Sequence, residues 1–271
     1  MTSLGAVLAW EVRKLSAQLR AKLVLLGAVL GPIPVVAAIN AQSQAPKDTL
    51  FGRYATTSGY SLALLILGFA GQWALPLLTS VVAGDIFASE DQHGTWKTVL
   101  TRSASRSKIF WAKVITACGF ATLVVAVLSV STIAASVLIG GSDQLTGVSG
   151  QLVSNHQALR LVSESWASTL LPTLGFTCLA ILISVATRSP AAGIAAPAVL
   201  GMLMQLIGSL GSIAGLREVL LSTPYEAWHG LLAAPGFTGP LVDGLVVSAA
   251  WSVVCLVASF VLVRRRDITG G

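Results

Sequence analysis

Charged residues are scarce in this sequence, and their scarcity excludes an ordinary soluble protein. Asp, Glu, Lys and Arg make up 10% of the 271 residues, whereas hydrophobic residues make up 54%. Soluble domains carry about 25% charged residues because their surfaces must face water. The apolar residues also fall into blocks close to the roughly 20 residues with which a helix crosses the hydrocarbon core. We therefore expect an integral membrane protein.

Residues that serve catalysis and metal binding are also scarce. The three histidines lie far apart, and none has a metal-ligand spacing with Cys, Asp or Glu. The sequence has neither a G-x-x-x-x-G-K-S/T phosphate loop nor a G-x-S-x-G nucleophile elbow. We therefore expect no enzyme, no metal site and no cofactor in this chain. If ATP drives the protein, its hydrolysis must occur on another chain.

The interiors of the apolar blocks offer little polar chemistry. They lack ionisable side chains, and Asp243 lies only at the outer edge of the last block. Ion-coupled carriers usually place such residues inside the membrane, so their absence argues against a secondary carrier. The three cysteines, Cys118, Cys178 and Cys255, each lie within a block. Lone buried cysteines usually behave as small apolar residues, and we expect no disulfide among them.

Six apolar blocks predict six transmembrane helices and an all-α membrane helix bundle. Pro32 and Pro34 fall in the first block, where a membrane helix tolerates them with a local kink. Together the blocks make up a transmembrane domain over residues 23–263. The predicted spans are Leu23–Ile39, Tyr60–Val82, Val114–Leu138, Trp166–Ala186, Ala191–Ile213 and Val242–Val263.

The basic residues predict the orientation of the spans. Thirteen of the 17 Lys and Arg residues lie on the side that holds both termini and the segment between spans two and three. The positive-inside rule places that side in the cytoplasm, in a multi-pass protein of the cell (plasma) membrane. This distribution also explains the formal net charge of +6 without nucleic acid as a partner.

The first 22 residues resemble an amphipathic helix that lies on the cytoplasmic surface. Leu4, Leu8, Val12 and Leu15 recur at helical spacing, with charged residues between them. A signal peptide is the competing interpretation, but no A-x-A cleavage pattern follows the first block. A frayed tail is the simplest alternative. At the other terminus, residues 264–271 form a short cytoplasmic tail.

The cytoplasmic segment Ala83–Lys113 is far longer than a simple reversal of the chain needs. Its centre has the pattern of a short amphipathic helix, with Thr95 as the candidate N-cap and Trp96 on the apolar face. Ser105 or Ser107 is placed to cap the helix that continues into the third span. A short helix projecting from the membrane is what a docking element for a soluble partner requires.

This segment also resembles a known family. The run Glu90-x-x-x-Gly94-Thr95, followed by Leu100-Thr101, Ser105-Arg106, Ile109 and Lys113, is similar to the cytoplasmic loop of ABC-2 type permeases. These are the six-span membrane subunits of ATP-binding cassette exporters. Many relatives have Pro where this chain has Ala104. The resemblance implies a coupling helix that inserts into a separate cytoplasmic ABC ATPase, which binds ATP and Mg. It also implies a dimer with a second permease copy or homologue.

The residues that the resemblance assigns to the ATPase contact share this one loop. Glu90 or Arg106 would either contact the ATPase or hold the shape of the loop through an ion pair. The simpler interpretation is that the basic residues of the loop only set topology and attract anionic lipid. The assigned set is Glu90, Gly94, Thr95, Trp96, Arg102, Ser105 and Arg106.

Weaker patterns indicate helix contacts, a pathway and the form of the outer segments. Two small-residue pairs suit close helix packing or arise by chance: Gly27 with Gly31, and Gly211 with Gly215. Three residues either line a translocation path or make interhelical hydrogen bonds: Gln72, Trp73 and Gln205. We expect Gly140–Glu164 to be a flexible loop, and residues 216–240 resemble the short re-entrant segment of the family.

These observations favour the permease subunit of an ABC-type exporter, embedded in the lipid bilayer and driven by a partner ATPase. Two alternatives remain open at this point. One is a secondary carrier or channel that works without ATP, and the other is a membrane immunity or scaffold protein. The energy source separates the first alternative, and the dependence on an ATPase contact separates the second. The sequence does not identify the cargo.

Overall fold

A computed structural model describes residues 3–42, 51–94, 105–210 and 214–265. Six helices in these ranges are long and apolar enough to cross a membrane: Leu19–Asn40, Gly59–Ala83, Arg106–Gly140, Asn155–Thr187, Pro190–Ser209 and Gly239–Arg265. We name them spans 1 to 6. They follow the six predicted blocks in order, so the all-α polytopic fold is confirmed. The strands in the described ranges form one two-residue hairpin, Leu145–Thr146 with Leu152–Val153.

Span 1 is interrupted at Gly31, as its two prolines predict. The helix Leu19–Leu30 ends there, and a second helix, Pro32–Asn40, continues the span. A proline has no backbone N–H and so breaks the helical hydrogen-bond ladder. A separate helix, Leu4–Ala17, precedes span 1 and is capped by the Ser3 side chain. We call it the N-terminal helix; its position on a membrane surface stays a prediction.

Span 2 contains one wide turn near its middle. Its α-helical parts, Gly59–Phe69 and Leu75–Ala83, flank a π-helical turn at Ala70–Ala74. Pro76 follows this turn and cannot donate a hydrogen bond to the carbonyl four residues earlier, which favours a local change of winding. Turns of this kind are rare and occur often at functional sites.

Spans 2 and 4 form the centre of the bundle. Buried residues make up 61% and 67% of their apolar stretches, against 17% in span 5 and 22% in spans 1 and 6. Span 3 covers one side of span 2, and span 6 packs along span 4. The faces of spans 1, 5 and 6 that point away from the bundle therefore contact lipid or another protein.

Close helix contacts occur at glycines other than those that the sequence patterns suggested. Gly84, at the end of span 2, lies against the backbone of Gly193 in span 5, where a Cβ would not fit. By contrast, a Cβ on Gly27 or Gly215 would meet no atom within 4 Å, and one on Gly31 would meet only the carbonyl of Gly27. Gly27, Gly31 and Gly215 therefore make no close contact with another helix in the described part of this chain, and packing against a second copy stays a prediction. Gly211 lies outside the described residues.

The end of the bundle opposite the loop between spans 2 and 3 is more ordered than expected. The expectation of a flexible loop at Gly140–Glu164 is wrong, because the hairpin and the first helix of span 4, Asn155–Ser168, occupy most of it. Ala158, Val162 and Trp166 recur every four residues and are buried, a helical stripe that the surrounding polar residues conceal. After a break at Thr169, span 4 continues as Leu170–Thr187.

The segment between spans 5 and 6 covers the same end of the bundle. It contains a short helix, Ala214–Val219, and a 3₁₀ helix, Thr223–Leu232. We call residues 214–238 the outer segment, after the predicted topology. Tyr225 is buried there, with its ring against Gly71 of the π turn and its hydroxyl 3.0 Å from Thr173 Oγ1.

Candidate functional site

Several separate parts of the chain meet at the end of the bundle that carries the loop between spans 2 and 3. Lys14 Nζ of the N-terminal helix lies 2.5 Å from Glu90 Oε1 in that loop. Arg20, at the start of span 1, lies 2.5 Å from Asp85, just after span 2. These two ion pairs attach the N-terminal helix and span 1 to the loop.

The centre of this site is the fully buried Lys113 in span 3. Its ammonium group donates to the carbonyl of Ile86 and to Glu90 Oε1, each at 3.0 Å. Its Nζ also lies 3.0 Å from Glu11 Oε1 and 5.8 Å from the centre of the Phe87 ring. A buried ammonium is costly unless it is paired and hydrogen-bonded, and Lys113 meets both conditions.

Glu11 of the N-terminal helix depends most strongly on its pairing with Lys113. Its side chain is 2% accessible, and Lys113 is its ion-pair partner at 3.0 Å. Glu11 Oε1 nevertheless makes no aligned hydrogen bond within the described part of the chain. The attraction is therefore an ion pair alone, and Glu11 depends on the charge of Lys113.

The six charged residues of this site carry three positive and three negative charges, and they come from five parts of the chain. The N-terminal helix, span 1, the end of span 2, the loop and span 3 all contribute. A void of about 10 Å³ lies beside them, at the lower limit for a single water molecule. The site is thus a connection between elements rather than a small-molecule pocket. We call it the charge cluster: Glu11, Lys14, Arg20, Asp85, Glu90 and Lys113.

The loop is held in place beneath the charge cluster. Its short helix, Ala88–Gln92, begins with the Ala88 amide donating to Ser184 Oγ of span 4 at 3.0 Å. Phe87 packs against Phe110 with ring centres 5.6 Å apart. The helix ends at Gln92, and Gly94 follows with a φ of +62°, which favours glycine. These contacts join the loop directly to spans 3 and 4.

The structure describes four of the seven residues that the resemblance assigns to the ATPase contact. Glu90 is 2% exposed, so its burial favours the role of holding the loop's shape over direct contact with a partner. Gly94 is exposed at the end of the loop helix. Thr95, Trp96 and Arg102 lie outside the described residues.

Ser105 and Arg106 begin span 3. Ser105 is its N-cap and accepts a hydrogen bond from the Lys108 amide at 3.4 Å, which confirms the first of the two predicted caps. Arg106 donates to the carbonyl of Arg264 at 3.0 Å. A cation at this position also suits the negative end of the span 6 helix. The end of span 6 therefore joins the same region, and the role of both residues toward an ATPase stays a prediction.

Two of the three pathway candidates lie near the segment between spans 5 and 6. Gln205 donates to Glu226 Oε1 at 3.0 Å, and Gln72, in the π turn, lines a pocket that Glu226 also lines. Trp73 is 51% exposed on the outer face of span 2, away from this pocket. The structure therefore brings Gln72 and Gln205 to one region and leaves Trp73 out of it.

Among the members of the charge cluster, sequence reasoning gave only Glu90 a role at the site. Lys14, Arg20 and Lys113 were counted among the basic residues that set the topology, and Glu11 and Asp85 were given no role. A signal for Lys113 exists, because Ile109, Lys113 and Ala117 recur every four residues along one buried face of span 3. A lysine in an otherwise apolar buried stripe requires an acidic partner. The identity of that partner depends on tertiary contacts.

Comparison with known proteins gives the family. A profile of the family described as "ABC-2 family transporter protein" matches residues 7–205, well over half of the chain. The match includes the whole charge cluster and ends before the outer segment. A comparison with curated proteins found no match. The chain therefore belongs to the ABC-2 family of transporter proteins and is a multi-pass membrane permease of an ABC transporter.

Proposed function

We propose that this permease is the membrane subunit of an exporter, and that a separate ABC ATPase drives it through the loop between spans 2 and 3. Membership of the family implies an ABC ATPase as partner. ATP and Mg would bind to that partner, since this sequence has no phosphate loop. The observation that carries the proposal is the charge cluster, which joins the loop to the N-terminal helix and to spans 1 and 3.

The charge cluster suits the transmission of force. Removing one partner from a buried ion pair costs about 3–5 kcal/mol, so a buried pair resists separation. Lys113 contacts both Glu11 and Glu90, and these contacts give the N-terminal helix and the loop a common attachment to span 3. A displacement of the loop by an ATPase would therefore move span 3 and the N-terminal helix with it.

The inferred topology agrees with an ATPase that acts on the loop from the cytoplasm. The N-terminal helix, the loop and the end of span 6 lie at one end of the bundle, as the contacts of Lys14 and Arg106 require. This end carries the excess of Lys and Arg, which supports a cytoplasmic position for both termini. A second permease copy or homologue would complete the pathway, and the weakly buried faces of spans 1, 5 and 6 offer it contact surface.

Cysteine cross-linking tests the position of the ATPase. Gln92, at the end of the loop helix, and Gln157, at the opposite end of the bundle, are both exposed glutamines. We would replace each with Cys in a chain co-expressed with the ATPase encoded nearest to its gene. The complex would be purified and treated with a short bifunctional thiol–amine reagent. We expect copurification in both cases and a permease–ATPase cross-link only from Gln92→Cys.

The control residue makes the result decisive. Equal cross-linking from Gln92→Cys and Gln157→Cys would contradict the proposed docking end. Failure of the ATPase to copurify with either variant, when both variants fold and reach the membrane, would contradict the dependence on that ATPase. A passive carrier or an immunity protein would then explain the chain better.

A further inference from the structure

Two neighbouring cavities lie at the outer end of the bundle, far from the charge cluster. The larger, of about 940 Å³, lies between the end of span 5, the outer segment and the start of span 6. The smaller, of about 160 Å³, lies between span 2 and the outer segment. We call them the outer cavity and the aromatic pocket. They adjoin because Glu226 and His229 line both.

The outer cavity is negatively charged. Three carboxylates, those of Glu218, Glu226 and Asp243, line it together with one guanidinium, that of Arg217. Arg217 forms an ion pair with Glu226, with 2.8 Å between Nη2 of the arginine and Oε2 of the glutamate. Glu218 and Asp243 have no ion-pair partner within the described residues, and both are exposed. Burial lowers the pKa of His229, so this side chain adds little positive charge at neutral pH.

The walls of the outer cavity are otherwise apolar. Ile207 of span 5, Val219 and Pro224 of the outer segment, and Val246 of span 6 contribute to them. Ligand pockets commonly have about 300–1,000 Å³ of space, mostly apolar walls and a few placed polar groups. The outer cavity matches this description, and its two unpaired carboxylates favour a cation.

One residue that lines the aromatic pocket has a buried hydrogen-bond donor without a partner. Trp228 is 2% exposed, and its indole N–H has no partner in the described part of the chain. A buried indole N–H usually has an acceptor. Phe51 and Tyr225 also line the pocket, and the Trp228 ring stacks on His229 with centres 4.0 Å apart. A cavity of roughly 150 Å³ holds one benzene ring.

We propose that the outer cavity and the aromatic pocket form one binding site for an amphipathic organic cation. The charged group of the ligand lies near Glu218 and Asp243. An aromatic ring of the ligand enters the aromatic pocket and presents a hydrogen-bond acceptor to Trp228. The proposal deepens the export function by naming a cargo class, and only the statement that the ligand is cargo rests on that function.

Binding to the purified chain without its ATPase tests the site. The probe is berberine, a planar aromatic cation with ether oxygens, whose fluorescence rises in apolar surroundings. The chain is held in nanodiscs of phosphatidylcholine, and the dissociation constant is measured by titration. The anionic dye 1-anilinonaphthalene-8-sulfonate serves as a probe of opposite charge. We expect saturable binding of berberine and weaker binding of the anion.

Variants locate the binding. The Glu218→Gln/Asp243→Asn double variant should weaken berberine binding about tenfold, since it removes the two exposed charges that attract the cation. Trp228→Phe retains the ring and removes the donor, which should weaken binding about fivefold. The matched control, Glu164→Gln/Asp143→Asn, removes the same two kinds of charge from outside the cavity, at a half-buried and an exposed position, and should bind as the wild type does.

Three outcomes would overturn the proposal. They are tighter binding of the anion than of berberine, an unchanged dissociation constant in the Glu218/Asp243 variant, or an equal loss in the matched control. Because this assay contains no ATPase, its failure is distinguishable from failure of the cross-link at Gln92. A positive cross-link with no berberine binding would leave the exporter standing and reject this cargo class.

Discussion

Replacement of Lys113 by Met removes the charge at the centre of the charge cluster and retains a long unbranched side chain. In the wild type, Lys113 Nζ lies 3.0 Å from a carboxylate oxygen of both Glu11 and Glu90. The substitution leaves Glu90 with Lys14, which is 33% exposed, as its partner. Glu11 is left as a buried carboxylate without an ion-pair partner in the described residues.

The expected cost follows from the burial of these groups. Removing one partner of a buried ion pair destabilises a protein by about 3–5 kcal/mol, because the other charge is left in a medium of low dielectric. Most of this cost belongs to the carboxylate of Glu11, which loses its partner, rather than to the lost attraction. The triple variant Lys113→Met/Glu11→Gln/Glu90→Gln removes all three charges and should therefore recover at least half of the loss.

Equilibrium unfolding in mixed micelles of dodecyl maltoside and sodium dodecyl sulfate measures these free energies. Circular dichroism reports the loss of helix for the wild type, the single variant and the triple variant. A Lys113→Met cost below about 1 kcal/mol, the value typical of an exposed pair, would refute the reasoning. A triple variant as unstable as the single variant would also refute it, because the cost could not then come from unpaired charge.

Two further substitutions test the packing of the bundle. Gly84→Ala should lower the free energy of unfolding by about 1–3 kcal/mol, since a Cβ there overlaps the backbone of Gly193. The control Gly119→Ala faces open space and should be neutral or stabilising, and equal effects at the two sites would contradict the contact. Tyr225→Phe should cost about 1 kcal/mol by removing the buried hydrogen bond to Thr173, and an unchanged unfolding curve would contradict that bond.

The spans were predictable because the membrane imposes a strong constraint. Every backbone polar group in hydrocarbon must be satisfied within the chain, so apolar blocks of sufficient length become helices. Local signals also worked where they act over a few residues. Pro32 predicted the interruption of span 1, and Ser105 predicted the start of span 3, because both effects depend on neighbouring backbone groups alone.

Features that depend on contacts between distant residues were not predictable. Lys113 and Glu11 are separated by about a hundred residues, and only the packed bundle brings their side chains together. The glycine patterns have the same limit, because a spacing such as that of Gly27 and Gly31 does not say which face meets another helix. The helix at Asn155–Ser168 was missed because serine-rich composition outweighed its buried four-residue stripe.

The candidate site also has a part that the sequence indicates and a part that depends on contacts between distant residues. The resemblance found the loop, and the structure then placed Glu90 in the charge cluster rather than on an exposed face. The outer cavity could not be inferred from the sequence, since its carboxylates come from the outer segment and from span 6. Composition and spacing describe neighbours along the chain, whereas these sites are assembled from residues that are distant in sequence.

The ATPase rate of the permease–ATPase complex tests the central claim most directly, with the Arg20–Asp85 pair as the perturbation. Arg20→Gln leaves Asp85, which is 5% exposed, without its partner, whereas Asp85→Asn leaves Arg20, which is 38% exposed and can be hydrated. We predict that both variants retain the ATPase in the complex. Stimulation of ATP hydrolysis by the permease should fall strongly in Arg20→Gln, fall little in Asp85→Asn, and recover in the double variant. Full stimulation in Arg20→Gln, or a double variant no better than Arg20→Gln, would contradict coupling through the charge cluster.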